Sequence, residues 1–164
     1  MLSRLTCICL FLAAGCSTSN LWRLDAISAG DAAFDSTRLR FSNPDSDSPV
    51  TFEMIKVGDQ IESFLNLNQF RWGSEKNGTS VKGTFVIGEE RFDEDLPLRE
   101  GRMRLRLSSE MTERVILALQ DGKKVSILID GFEETLDPQQ FARTYGRFLG
   151  KKALFQKILK GPFE

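Results

Sequence analysis

The sequence predicts an α+β fold that is mainly antiparallel β, arranged as a sheet or sandwich, with one or two helices towards the C-terminus. Three observations support this prediction. Apolar and polar residues alternate over many short segments after residue 37, which is the period of half-buried strands. Turn-forming residues separate these segments at short intervals, as in antiparallel sheets. Helical spacing of apolar residues is found mainly in the last third of the chain, so we expect helices that pack on the sheet.

The alternating segments predict the strands in order along the chain. The predicted strands cover residues 39–41, 50–56, 61–67, 69–72, 81–87, 102–107, 124–130 and 132–136. Several of them are joined by strong turn sequences, namely Gly58-Asp59, Lys76-Asn77-Gly78 and Asp130-Gly131. Residues 88–98 are acidic and include Pro97, which cannot donate a hydrogen bond to a neighbouring strand. We therefore expect residues 88–98 at a sheet edge or in a solvated loop.

The segment that follows residue 108 has two interpretations. Ser109 is a good N-cap, acidic residues follow it in the first turn, and Gly122 provides a stop. The apolar residues have helical spacing and are Met111, Val115, Ala118 and Leu119. Alternatively, residues 115–129 alternate around Asp121-Gly122 and would form a hairpin. We favour the helix because its start and stop signals agree with its apolar face.

A second helix is predicted after the last strand. Asp137-Pro138 is a typical start, since aspartate caps helices and proline fits the first helical position. Apolar residues at i, i+4, i+7 and i+8 then share one face, and they are Phe141, Tyr145, Phe148 and Leu149.

The composition excludes several classes of chemistry. The chain of 164 residues has no histidine and a net charge of −1. Ser-His-Asp and Cys-His catalysis and most zinc sites are therefore excluded, and the charge does not indicate a nucleic-acid partner. We expect no metal, no cofactor and no enzyme activity. The 13 phenylalanines indicate an aromatic-rich core, with an apolar ligand cavity as the alternative.

The first sixteen residues have the parts of an export signal that ends at a cysteine. Arg4 supplies the positive charge, an apolar run follows, and Leu12-Ala13-Ala14-Gly15-Cys16 closes the segment. The apolar run is much shorter than the roughly 20 residues that span a bilayer. These residues resemble the lipobox of bacterial lipoproteins, although the leucine stands one place earlier than in the commonest pattern. The resemblance covers residues 1–16 only.

This resemblance implies cleavage between Gly15 and Cys16 and attachment of acyl chains to Cys16. It implies a protein of the cell envelope that is held in a membrane by this lipid. Ser17, which is not aspartate, favours the outer membrane, facing the periplasm. The expected organisation is a signal peptide at 1–15, a lipidated cysteine with a tether or edge segment at 16–37, a single antiparallel β-rich domain at 38–150, and a basic amphipathic segment at 151–164.

Two groups of basic residues are the candidates for binding a partner or an anion. Arg102, Arg104 and Arg106 alternate with apolar residues, so one face of their strand should carry three guanidinium groups and the other should be buried. The second group lies in the amphipathic segment, which is typical of a helix that docks on a membrane or partner. It consists of Lys151, Lys152, Lys157 and Lys160. The simpler interpretation of each group is a solvated surface.

The predicted function is binding by a membrane-anchored envelope lipoprotein that serves as an assembly, scaffold or accessory factor. Its expected partners are the membrane, through the lipid on Cys16, and an envelope protein, with no nucleic acid. One alternative is a carrier of an apolar ligand. A carboxylate-based hydrolase has less support, because the acids at 89–95 lack the separated, opposed geometry of such enzymes. They also lack the spacing of an EF-hand calcium loop.

Overall fold

The computed structural model describes residues 21–27, 36–44, 47–67, 79–99, 101 and 103–150. These ranges form strands β1 (Trp22–Ile27), β2 (Ser36–Phe41), β3 (Val50–Val57), β4 (Gln60–Leu67), β5 (Ser80–Ile87), β6 (Glu90–Pro97), β7 (Arg104–Arg106), β8 (Val125–Ile129) and β9 (Phe132–Leu136). Helix α1 (Ser109–Gln120) lies between β7 and β8, and helix α2 (Phe141–Leu149) follows β9. The predicted α+β class, mainly antiparallel β with two helices towards the C-terminus, is confirmed.

The strands form two antiparallel sheets. The first has the order β1-β2-β3-β4-β7 and the second the order β6-β5-β8-β9. An isolated bridge between Leu98 and Leu105 links the end of β6 to β7, so the two sheets meet there. The β8–β9 hairpin turns at Asp130-Gly131, where both residues have positive φ (48° and 82°). This is the backbone that a two-residue type I′ turn requires, and it explains the predicted turn.

Both sheets and both helices contribute to one hydrophobic core. On the five-stranded sheet, Leu39, Met54 and Leu65 are fully buried on the inner face. Strands β5 and β8 add Phe85 and Ile127. The buried phenylalanines of the described residues are Phe41, Phe52, Phe64, Phe85, Phe141 and Phe148. They support the interpretation that the phenylalanine content serves an aromatic-rich core.

Trp22 joins the N-terminal strand to the C-terminal helix. It is buried, and its ring lies 5.0 Å from that of Phe41 and 4.7 Å from that of Phe141, measured between centroids. Its indole N–H donates to the carbonyl of Asp137 at 2.8 Å. Strand β1, from the segment predicted as a tether or edge, is thus an edge strand that supplies a core side chain.

The acidic segment forms a strand where a solvated loop was one of the expectations. Residues Glu90–Pro97 pair with β5 along their whole length, and β6 is the edge of its sheet. Leu96 is buried in the core, whereas Glu90 and Asp95 are exposed. An edge strand tolerates this pattern, because charge on an edge prevents pairing with another chain. The expected edge position of Pro97 is confirmed.

Helix α1 confirms the helical interpretation over the hairpin, but its cap is one residue earlier than predicted. The Ser108 hydroxyl accepts a hydrogen bond from the Met111 N–H at 3.1 Å. The predicted apolar face, Met111, Val115, Ala118 and Leu119, is buried. Gly122 has φ +75° and follows the last turn, as a helix stop requires.

Helix α2 has the predicted apolar face but begins later than predicted. Asp137 does not cap the helix, since its carboxylate accepts from the Gln139 N–H at 2.8 Å in a separate local turn. Gln140 then has φ +65°, so regular helix starts only at Phe141. Phe141, Tyr145 and Phe148 are buried as predicted.

The other predicted elements have mixed outcomes. The strands predicted at 39–41, 50–56, 61–67, 81–87, 124–130 and 132–136 are confirmed within one to three residues at their ends. The predicted strand at 69–72 and the hairpin at 76–78 lie outside the described residues, as do Cys16 and the segment 151–164.

Candidate anion-binding groove

The predicted arginine strand is shorter than expected and only partly alternating. β7 contains Arg104 and Arg106, while Arg102 lies outside the described residues. Leu105 is buried as predicted, but Met103 is 46% exposed, contrary to the expectation of a fully apolar face. Met103 precedes β7, and although its carbonyl accepts from the Leu67 N–H at 3.0 Å, its side chain lines a groove at the surface.

Arg104 and Arg106 have different partners. The β4–β7 register places Arg106 opposite Phe64 and Arg104 opposite Asn66. The Arg106 Nη2 atom lies 2.6 Å from a carboxylate oxygen of Glu62, at a half-exposed surface ion pair. Arg104 instead reaches Glu53 on β3. The two arginines therefore lie on the same face of β7, as predicted, but are paired with different carboxylates.

Glu53 is a buried carboxylate on the outer face of the five-stranded sheet. Its side chain is 1% exposed. The Arg104 Nη2 atom lies 3.1 Å from Oε2, and the Asn66 amide donates to the same oxygen at 2.7 Å. Arg38 Nε lies 2.7 Å from Oε1, although its N–H is not directed at that oxygen, so this contact is an ion pair without a hydrogen bond.

These partners explain why a carboxylate is tolerated at a buried position. A buried charge is strongly unfavourable unless opposite charges and hydrogen bonds compensate for it. Glu53 has two guanidinium groups and one amide donor, and the strand registers place all three beside it. In return Glu53 holds Arg38 and Arg104 in position. Arg104 is fixed further by the Phe64 ring, whose centroid lies 5.5 Å from its guanidinium carbon.

The same face has a groove of about 530 Å³. The groove is lined by Arg23, Arg38, Arg40, Ser42, Thr51, Glu53, Asn66, Leu67, Met103 and Arg104. Four guanidinium groups therefore border it against one carboxylate. Arg40 is also paired with Asp25, at the side of the groove. Arg23 is exposed, and its guanidinium has no ion-pair partner in the part of the chain that the structure describes.

This arrangement is suited to an anionic group. Guanidinium groups present planar pairs of donors that match carboxylate or phosphate oxygens. Two of the four are already positioned by Glu53, so a ligand does not have to order them. The lining has no histidine or cysteine. The geometry is therefore suited to holding an oxyanion.

Most of this site was missed by sequence reasoning. Only Arg104 was predicted. Arg38 and Arg40 alternate with Leu39 and Phe41 in the same way as the predicted arginines, and this alternation was a usable signal. Glu53 gave no comparable signal, because its burial depends on the pairing of β3 with strands that lie on both sides of it.

Of the remaining predicted residues only Arg106 is described, and it does not line the groove. Gly15, Cys16, Arg102, Lys151, Lys152, Lys157 and Lys160 lie outside the described residues.

In the acidic strand, the Thr84 hydroxyl donates to Asp93 at 2.6 Å and lowers the pKa of that carboxyl, with Lys82 and Arg91 adding to the effect. No group of three or more potential metal ligands occurs among the described residues.

Comparison with protein-family models, curated proteins and solved structures finds no match to this chain. Among the described residues, neither helix has the length and apolar composition needed to cross a membrane.

Proposed function

We propose that this protein is a lipid-anchored bacterial envelope protein that binds an anionic group in the arginine-lined groove and has no catalytic role. The observation that supports the binding role is the convergence of four guanidinium groups on one groove, two of them fixed by the buried Glu53. The absence of histidine from the sequence agrees with binding rather than acid–base catalysis.

The anionic group is a carboxylate or a phosphate of a larger partner. A surface ion pair between mobile side chains contributes little, because ordering both side chains offsets the attraction. Arg38 and Arg104 have already lost this freedom through their contacts with Glu53. An incoming oxyanion therefore gains charge-assisted hydrogen bonds with a small ordering cost.

The anchoring role follows from the likeness of residues 1–16 to a lipobox. Acylation of Cys16 would hold the domain at the outer membrane, facing the periplasm, and two or more acyl chains anchor firmly. We expect Cys16→Ala to abolish acylation and to leave an uncleaved or soluble protein. Recovery of that variant as a processed protein that still requires detergent for extraction would contradict the lipobox assignment.

The binding role is tested by calorimetric titration with inorganic phosphate and with citrate. We expect the double variant Arg23→Gln/Arg40→Gln, which removes two arginines of the groove that are not ion-pair partners of the buried Glu53, to bind either probe at least about tenfold more weakly than the parent. The control is Lys82→Gln/Lys123→Gln, which makes the same change in net charge outside the groove. Equal weakening in both double variants would show a general charge effect and would contradict a specific site.

A further inference from the structure

A second basic groove lies between β1 and α2. It measures about 590 Å³ and is lined by Trp22, Arg23, Leu24, Asp25, Gln140, Arg143, Thr144 and Arg147. Three guanidinium groups border it against the single carboxylate of Asp25. Arg23 lines both grooves, so the two are adjacent and form a continuous basic surface around the free edge of β1.

The arginines of α2 lie at the surface of the domain. Arg143 and Arg147 are exposed, and neither has an ion-pair partner within the described ranges. They lie four residues apart on one helix face, where like charges repel and weaken the helix. Arg23 adds a third positive charge across the groove. A bound anion would relieve this repulsion.

This concentration of positive charge contrasts with the chain as a whole, whose net charge is −1. The two grooves together contain the arginines Arg23, Arg38, Arg40, Arg104, Arg143 and Arg147. Only Asp25 and Glu53 oppose them in the lining, while the edge strand β6 carries an excess of carboxylates. A charge separation of this kind orients a protein with its basic side towards an anionic surface.

The position of β1 in the chain indicates which surface this is. Trp22 follows Cys16 by six residues. Even a fully extended chain of this length spans only about 20 Å, at roughly 3.3–3.6 Å per residue. A lipid on Cys16 would therefore keep β1 and both grooves beside the bilayer, at a high effective concentration of headgroups.

We propose that the two grooves together bind anionic phospholipid headgroups of the membrane that holds Cys16. This inference rests on the proposed function, because it takes the anion of the first groove to be a headgroup phosphate and the anchor to be the lipid on Cys16. The lipid chains hold the protein in the membrane, and the arginines fix which side of the domain faces it. The carboxylates of β6, which line neither groove, are then left for the periplasm.

The test uses the unlipidated mature chain, residues 16–164 with Cys16→Ser, which retains every described residue. Its sedimentation is measured with phosphatidylcholine vesicles that contain either no phosphatidylglycerol or about one third phosphatidylglycerol. We expect binding to the anionic vesicles only.

The variant Arg143→Gln/Arg147→Gln should bind them more weakly by a factor on the order of 10–30, since each basic residue near an anionic surface contributes roughly fivefold. The control Lys82→Gln/Lys123→Gln should change binding by less than about twofold.

The two proposals fail in different ways. If the parent binds both kinds of vesicle equally, or if the α2 variant and the control are equally affected, the headgroup proposal is overturned while phosphate binding in the first groove is untouched. Copurification of an acidic protein partner that depends on Arg143 and Arg147, without vesicle binding, also overturns it. Unchanged phosphate and citrate binding by Arg23→Gln/Arg40→Gln would instead contradict the proposed function of the first groove.

Discussion

Glu53 shows that the stability contributed by an ion pair depends on how deeply its carboxylate is buried. Glu53 and Glu62 both pair with arginine on the same sheet, but the carboxylate of Glu53 is 1% exposed and that of Glu62 is 42% exposed. Hydrogen bonds and ion pairs to a buried charged group contribute more to stability than exposed ones, because water cannot replace them.

We therefore expect Glu53→Gln to lower the free energy of unfolding by about 1–3 kcal/mol. The matched change Glu62→Gln should lower it by less than about 1 kcal/mol. Urea denaturation of both variants measures the difference. Equal effects would mean that Glu53 does not organise the groove in solution.

Tyr145 is the only tyrosine in the chain, so its titration can be followed without interference. Burial raises its pKa above the ordinary value of about 10. Because the folded-state pKa is the higher one, the contribution to stability is complete below the unfolded pKa and is lost as pH rises through the folded pKa.

We expect the ultraviolet absorbance of tyrosinate to appear at a higher pH in the folded protein than in the protein unfolded in urea. Stability should decrease over the same alkaline range. The control is the urea-unfolded chain, which should titrate at the ordinary value. Coincident titration curves would show that Tyr145 is not buried against the α1 side of the domain.

At the scale of single elements, α1 offers a direct comparison of two neighbouring serines. Ser108 has extended backbone and accepts from the Met111 N–H, while Ser109 lies inside the helix. We expect Ser108→Ala to lower the free energy of unfolding by about 1 kcal/mol, as for other N-caps. Ser109→Ala should have almost no effect, since alanine is favourable inside a helix. Thermal or urea unfolding measures the loss of stability in each variant. A larger loss for Ser109→Ala than for Ser108→Ala would show that Ser109 is the cap.

The elements also show what a sequence pattern can and cannot predict. Strands with one buried and one polar face, such as β3 and β8, were predicted because alternation records burial directly. The acidic strand β6 could not be identified with equal ease, because an edge strand needs few apolar residues and here keeps only Leu96 fully buried. The late start of α2 was missed because the Asp137 carboxylate accepts from the Gln139 N–H in a local turn and Gln140 has φ +65°, and the Asp137-Pro138 pattern does not reveal either feature.

Across the whole molecule, the site depends on residues that are distant in sequence. The first groove combines β1 and β2 with β3, β4 and β7, and the second joins β1 to the final helix. Composition indicated a near-neutral protein, and its charge asymmetry became visible only once strand order was known. Strand β1, which lines both grooves, is also the first described strand after the proposed lipid anchor. The anchor is therefore close in sequence to one wall of the basic surface.

The contacts at the C-terminal end of α2 also predict how much of the chain the domain needs for its stability. Helix α2 is closed by two hydrogen bonds among the described residues. Lys56 Nζ donates to the Leu149 carbonyl at 2.8 Å, and the N–H of Gly150, with φ +79°, donates to the Arg147 carbonyl at 3.2 Å. A chain that ends at Gly150 keeps every one of these contacts. We therefore expect deletion of 151–164 to change the free energy of unfolding by no more than about 0.5 kcal/mol.

The same deletion removes Lys151, Lys152, Lys157 and Lys160, so we expect weaker binding to anionic vesicles, by roughly fivefold for each lysine that reaches the surface. The destabilised control is Phe148→Ala in the full chain, which should cost about 3–5 kcal/mol because it empties a buried aromatic position. If the deletion is as destabilising as this control, the segment belongs to the core. Any weaker vesicle binding would then result from the loss of folded domain and not from the loss of the lysines. If stability is retained and vesicle binding falls, residues 151–164 extend the basic surface that Arg143 and Arg147 begin.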